Sequence, residues 1–178
     1  MRRRQLLAGA IALPLAALPK ALKRPVKVGF LGVSHSHGDR KLRIAIESPD
    51  YELVAASEPD PLLRTKYEAL GVKFVSEQAL LRDPTIEAIY VESAVRDHAR
   101  QGLAVVRAGK HLHLEKPPAI DVESFREIQD LAREKSLVLQ LGYMWRHHPA
   151  FLRIFEAARK GWLGDLYMVR AEMNKTLG

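Results

Sequence analysis

The sequence predicts a doubly wound α/β fold, a parallel sheet covered by helices on both faces. Two observations carry this. Short, β-rich and nearly continuous apolar runs recur at Val26–Val33, Leu53–Ala56, Ile86–Val91 and Leu137–Leu141, as strands buried on both faces require. Stretches with helical spacing and readable ends lie between them. Strict alternation of the two implies parallel strands joined by right-handed crossovers.

Taken in order, Val26–Val33 is the first strand, and its closing turn leads into a helix. After Leu53–Ala56, Asp60 caps a helix that has Pro61 at its first position and ends at Gly71. Val72–Val75 reads as a shorter strand. After Ile86–Val91, residues 96–108 place Ala99, Leu103 and Val106 on one helical face and stop at Gly109. His111–Leu114 is another short strand. Asp121 precedes Phe125, Ile128, Leu131 and Ala132 at helical spacing, and Leu137–Leu141 follows as a strand. Pro149–Lys160 is a helix ending at Gly161. In Leu166–Met173, Tyr167, Val169, Ala171 and Met173 share one face, and Arg170 and Glu172 share the other. That alternation marks a half-exposed antiparallel strand, which needs partners and reads as the start of a second, truncated α+β domain.

The chain has 178 residues, 47% hydrophobic and 28% charged, which excludes disordered, collagen-like and coiled-coil classes. Its net charge of +7 is local: Arg2, Arg3, Arg4, Lys20, Lys23, Arg24 and Lys27 lie in a segment without acids, and the remainder is neutral. A nucleic-acid-binding face would need basic residues clustered on the folded body, so nucleic acid is not an expected partner. The absence of cysteine excludes disulfides and thiolate metal sites. Residues 1–24 carry Arg3-Arg4-Gln5-Leu6-Leu7 and an apolar stretch, Leu6–Leu18, too short to span a bilayer. They resemble a twin-arginine export signal, with Arg2 where Ser or Thr is usual. This implies export to the periplasm with transient membrane contact; the alternative is a tail without an address on a cytoplasmic chain.

In a doubly wound sheet ligands bind outside the carboxyl ends of the strands. The turns expected there carry Gly32–Gly38, Glu58, Glu92–His98, Glu115–Pro117 and Gly142–His148. The first resembles a dinucleotide fingerprint. Gly32 takes the tight turn, Ser34 stands for the second glycine, and His37, or Gly38 one place later, stands for the third. Glu58, at the end of the next strand, is placed to accept hydrogen bonds from an adenosine ribose and to repel a 2′-phosphate. NAD is therefore expected over NADP, with Arg64 as an opposing influence.

Longer motifs follow. Gly109-Lys110-His111-Leu112-His113-Leu114-Glu115-Lys116-Pro117 and Gly142-Tyr143-Met144-Trp145-Arg146-His147-His148-Pro149-Ala150-Phe151, with the turn Gly161–Gly164, resemble the signatures of the Gfo/Idh/MocA oxidoreductases. The resemblance runs from about Val26 to Met173. It implies a Rossmann-type NAD-binding domain over 25–145, with 146–178 as a linking helix and the start of a substrate domain. It places Gly32, Ser34, His35, His37, Glu58, Ser93, His98, Glu115 and Lys116 at the cofactor. Lys116 also becomes the catalytic residue, reaching the reacting hydroxyl as a proton relay. Arg146 is a candidate substrate contact. Ala94-Val95 departs from the family's proline-asparagine. The implied activity is hydride transfer between a nicotinamide and a sugar or polyol, in a chain expected to be a fragment of a longer protein, for which a homo-oligomer is an open alternative. The alternatives are a non-catalytic dinucleotide-binding module or remnant, and a non-redox reaction using NAD transiently. No metal is expected: His35/His37, His111/His113 and His147/His148 lack carboxylates at a ligand spacing.

Overall fold

The computed structural model describes residues 24–172. The expected export segment therefore lies, Arg24 excepted, outside the described residues. Five strands form one sheet: β1 (Val26–Leu31), β2 (Tyr51–Ser57), β3 (Ala88–Val91), β4 (His111–Leu114) and β5 (Leu139–Leu141). Their order is β2-β1-β3-β4-β5, and every pairing is parallel. Phe74 adds a single parallel bridge to Ala56 at the outer edge of β2. The chain leaves β1 toward β2 and returns across it to β3, which makes the gap between the ends of β1 and β3 the topological switch point.

Among the described residues are six α-helices, five between strands and the last after β5: α1 (Gly38–Glu47), α2 (Pro61–Glu68), α3 (Glu77–Arg82), α4 (Val95–Arg107), α5 (Val122–Glu134) and α6 (Pro149–Arg159). Two predicted caps form: Asp60 accepts the Leu62 N–H at 2.8 Å, and Asp121 accepts the Ser124 N–H at 2.7 Å. The alternation of each strand divides the core. Val28, Phe30 and Ala56 pack with Leu42, Ala45 and Tyr67 on the α1/α2 face. Leu31, Ile89, Val91, Leu112 and Leu114 pack with Leu80, Val105 and Ile128 on the α3/α4/α5 face. On α4 the buried stripe is Gly102, Val105 and Val106, with Ala99 and Leu103 at its margin. In β4 the leucines of His-Leu-His-Leu go to this second core and the histidines to the opposite face.

Three expectations change. Helix α3 was not anticipated: six residues are too few for a periodic pattern, although Ser76 caps it by accepting the Ala79 N–H at 3.2 Å. Val72–Val75 is reduced to the Phe74 bridge, held by Ala56 N–H to Lys73 O and Val75 N–H to Ala56 O, both 2.9 Å. Leu166–Glu172 is irregular and exposed rather than a strand, because no described strand offers its edge to it; Met173 lies outside the described residues. No helix among the described residues is long and apolar enough to cross a membrane.

Lys110, from the glycine-lysine-histidine motif, is buried, and its ammonium donates to Asp83 O at 2.6 Å and Ile86 O at 2.9 Å. It ties the start of β4 to the turn between α3 and β3. Lys110→Met leaves both carbonyls without this donor. It should lower unfolding free energy by about 1–3 kcal/mol in chemical denaturation while leaving nucleotide affinity unaltered.

Candidate functional site

The parallel sheet delivers the first residues after each strand to one edge. Gly32, after β1, has φ +75°, and a Cβ there would lie 2.5 Å from the Ser93 Cα. Only glycine allows the ends of β1 and β3 to approach this closely. Gly38 opens α1 against the same turn: its Cβ would lie 2.9 Å from Val33 O. Close helix–strand packing, the task of the third glycine, therefore falls to Gly38 rather than His37. No side chain caps the N-terminus of α1.

A crevice of about 880 Å³ opens at the switch point, lined by Gly32, Ser34, Glu58, Arg64, Ser93 and Arg100 among others. Four expected cofactor residues, Gly32, Ser34, Glu58 and Ser93, thus share one cavity. The buried Glu58 carboxylate accepts the Val33 N–H at 2.8 Å on Oε2 and the Asp60 N–H at 3.0 Å on Oε1. Each oxygen keeps a further lone pair. The acid is aimed by the backbone of the glycine turn itself.

Beside this crevice stands a second cluster. Glu115 has no exposed surface; its Oε1 lies 3.3 Å from His37 Nδ1 and 4.0 Å from Lys116 Nζ. Gly142 makes room for it, since a Cβ there would stand 2.5 Å from Glu115 Oε2. Lys41 of α1 donates to Glu115 Oε2 and, at 2.6 Å, to Glu92 Oε1. Its Nζ is also 2.8 Å from His113 Nε2, and His113 Nδ1 is 3.0 Å from Gln140 Oε1. Burial would raise the Glu115 carboxyl, but the hydrogen bonds from Lys41 and from the Lys116 backbone outweigh it and hold the group below its ordinary value. Burial pushes Glu92 up to about 7 against the pull of Lys41. Its Oε2 has no hydrogen-bond partner among the described residues. Burial, reinforced by Lys41, pulls His113 down to about 4. Burial also lowers His35, against the attraction of Glu115.

Two expected residues stand elsewhere. His98 does not line the crevice: it is fully buried, with Nδ1 2.7 Å from Pro117 O and Nε2 3.0 Å from Ser93 O. It braces the turns after β3 and β4 from behind, because its place in the first turn of α4 points it into the protein. Arg146 lies on a 3₁₀ turn, Met144–His147, and lines a separate cavity of about 630 Å³ with Trp145, Phe151 and Phe155. Sequence reasoning places Glu92 in a turn at the strand ends without giving it a role, and it misses Lys41. Glu92 carried a signal, an acid directly after a buried strand, whereas a lysine on an amphipathic helix carries none. The structure also brings carboxylates to the histidines: His35, His37 and Glu115, and Glu92, His113 and Glu115, each place three ligand atoms within 4.8 Å. In the second group Lys41 Nζ contacts all three residues, so the cation there is an ammonium.

The raised Glu92 carboxyl makes a pH prediction. Between its ordinary value of 4.5 and about 7 the folded chain holds a proton that the unfolded chain has lost. The stability this supplies is full below 4.5 and disappears as pH rises through about 7. His113 runs the opposite way between about 4 and 6.5, so variant and wild type are compared at each pH. In denaturant titrations, the stability of Glu92→Gln relative to wild type should improve steadily as pH rises from 4.5 to 7.

Comparison with known proteins agrees with this geometry. Residues 26–143 match the model of the Gfo/Idh/MocA family, described as an oxidoreductase family with an NAD-binding Rossmann fold. A dTDP-3,4-didehydro-2,6-dideoxy-alpha-D-glucose 3-reductase of Streptomyces violaceoruber is 31% identical over 150 residues, which are 83% of this chain and 44% of that protein. The crystal structure of scyllo-inositol dehydrogenase from Lactobacillus casei with bound NAD(H) and scyllo-inositol superposes with a TM-score of 0.71 at 25% identity. That match covers 80% of this chain and 43% of the other. KijD10, a 3-ketoreductase from Actinomadura kijaniata in complex with NADP and TDP-benzene, superposes with a TM-score of 0.67 at 28% identity, covering 78% and 43%. The chain spans less than half the length of these relatives. With the family match covering most of its length, and with a parallel sheet whose switch point holds a glycine turn, the chain belongs to the Gfo/Idh/MocA family of oxidoreductases with an NAD-binding Rossmann fold.

Proposed function

We propose that this chain binds NAD in the crevice between the ends of β1 and β3. It thereby supplies the cofactor half of an oxidoreductase acting on a hydroxyl of a sugar or polyol. The observation that carries the reading is Gly32 pressed against Ser93, with Glu58 on the wall of the same cavity. With no side chain, Gly32 lets the turn lie against Ser93 on the wall of the same crevice, the close backbone approach that a dinucleotide cradle requires. The sugar or polyol class comes from the relatives.

Ser34 and the backbone of the turn hold the pyrophosphate, facing the uncapped N-terminus of α1. Glu58 accepts from the adenosine ribose with its remaining lone pairs, and its charge disfavours a 2′-phosphate, which supports NAD over NADP. Arg64 in the same crevice opposes that preference. The nicotinamide, when bound, supplies hydride exchange. Lys116, with 41% of its side chain exposed beside the buried Glu115, holds and returns the proton of the reacting hydroxyl at Nζ. His98 keeps Ser93 and Pro117 at a fixed separation, so the turns on either side of the reacting groups move together. Arg146, in its own cavity, is a candidate contact for the substrate side. The Arg3-Arg4 segment supports export by the twin-arginine route, and the Arg3→Lys/Arg4→Lys variant should remain in the cytoplasm on cell fractionation.

The test is titration of the protein with NAD(H) and NADP(H) by fluorescence and calorimetry, followed by incubation with a panel of sugars and polyols. Tighter binding of NAD is expected. Glu58→Ala should weaken NAD by about 1–3 kcal/mol and NADP by less. An equal loss for both would assign Glu58 to holding the turn alone. Free NADH accumulating with a polyol establishes the oxidoreductase; binding without turnover leaves a dinucleotide-binding module.

A further inference from the structure

Parallel strands that end in register set their next residues side by side. Val91 of β3 pairs with Leu114 of β4, so Glu92 and Glu115 leave the sheet as neighbours, and both are wholly buried. Two ionised carboxylates in that position repel, and burial penalises each charge further. Lys41 answers both from the α1/α2 face of the sheet, with 18% of its side chain exposed. The groups around it come from every adjoining element. They are His35 and His37 before α1, Tyr51 of β2, Tyr90 of β3 and Glu92 after it, His113 of β4 with Glu115 and Lys116 after it, and Gln140 of β5.

One ammonium thus serves two acids with different outcomes. Glu115 stays an anion, and Glu92 hovers near neutrality between its protonated and ionised forms. Lys41 itself does not line the crevice. It opens on a small cavity of about 170 Å³ with Tyr51, Tyr90, His113 and Gln140. Its influence on the crevice passes through Glu115, whose other oxygen faces His37 in the glycine turn and Lys116. A buried ion cluster is weak evidence for stability. This one sits at the strand ends that build the site, where fixing an anion matters for geometry.

We propose that Lys41 is a positioning residue for the cofactor end of the crevice. It holds Glu115 as a fixed anion, and Glu115 in turn fixes His37 and stands beside Lys116. This rests on the functional reading above. Without Lys41 the two carboxylates repel as they ionise, Glu115 takes up a proton or shifts, and the turn loses its anchor.

The test compares the 178-residue chain with Lys41→Met and Lys41→Arg by two readouts. One is the His113 titration followed by NMR; the other is the Kd for NADH across neutral pH, with folding checked by circular dichroism. In Lys41→Met the imidazolium of His113 becomes the counter-ion of the two acids, so its midpoint should rise by about 2 pH units. NADH should bind about tenfold more weakly, the scale of one lost hydrogen bond to a charged group, and the loss should deepen as pH rises through the range where Glu92 ionises. Lys41→Arg should restore most of the affinity. Should Lys41→Met fail to fold, Lys41→Met/Glu92→Gln removes the repulsion but still leaves Glu115 without its ammonium, and the weakening should persist. Wild-type affinity in a folded variant of either kind, or a loss in Lys41→Met that is equal at every pH, overturns the positioning role. An unmoved His113 midpoint overturns the cluster itself. A wild-type chain that binds no NADH while His113 still shifts overturns the functional reading, and the positioning role with it.

Discussion

All five strands run parallel, and the rest of the site follows from that constraint. A parallel sheet brings every strand's carboxyl end to one edge, so the first residues after β1, β2, β3 and β4 meet although the chain separates them widely. Those residues are Gly32, Glu58, Glu92 with Ser93, and Glu115 with Lys116. The apolar side chains of the strands fill two cores, and the acids Glu58, Glu92 and Glu115 follow directly where β2, β3 and β4 end. Concentrating acids at one edge has an electrostatic cost, and each acid meets it differently. Glu58 takes two backbone N–H groups, Glu115 takes an ammonium, and Glu92 keeps an oxygen without a donor and a carboxyl pushed up to about 7.

The site therefore has two halves with different physics. Around Gly32 the determinant is steric: the absence of a side chain lets the ends of β1 and β3 approach, and Glu58 is held by the turn it faces. Around Glu115 it is electrostatic, with the Lys41 ammonium set between the Glu115 and Glu92 carboxyl groups and with His113 and His37 beside them. His98 joins the halves, since its ring spans the carbonyls of Ser93, on the crevice wall, and Pro117, next to Lys116. A family motif that reads as one block of functional residues thus divides by task. In Gly109–Pro117, Lys110 secures the fold, the leucines fill the core, His113 faces Lys41, and Glu115 and Lys116 meet the crevice region.

Family membership says what such a site does in longer relatives, and the geometry says how this chain's residues could share the work. The steric half suits a dinucleotide cradle, in which backbone must come close to a pyrophosphate. The electrostatic half suits a lysine that exchanges a proton beside a fixed anion. The aromatic groups of Met144–His147 and α6 border a cavity of their own, separate from both.

By itself the sequence determined whatever depends on near neighbours. The buried strands, the caps at Asp60 and Asp121, the Gly32 turn and the acid at Glu58 are all legible, because periodicity, capping and φ preferences act over a few residues. So is the family, through motifs in register. Tertiary structure alone decided the rest. It shortened Val72–Val75 to one bridge and left Leu166–Glu172 without a sheet, since a strand exists only where an edge accepts it. It gave the third-glycine role to Gly38 and turned His98 inward. It joined Lys41 to Glu92 and Glu115, 51 and 74 residues away. Such a pairing depends on strand register and on the face a helix presents to the sheet, and the spacing of residues along the chain encodes neither.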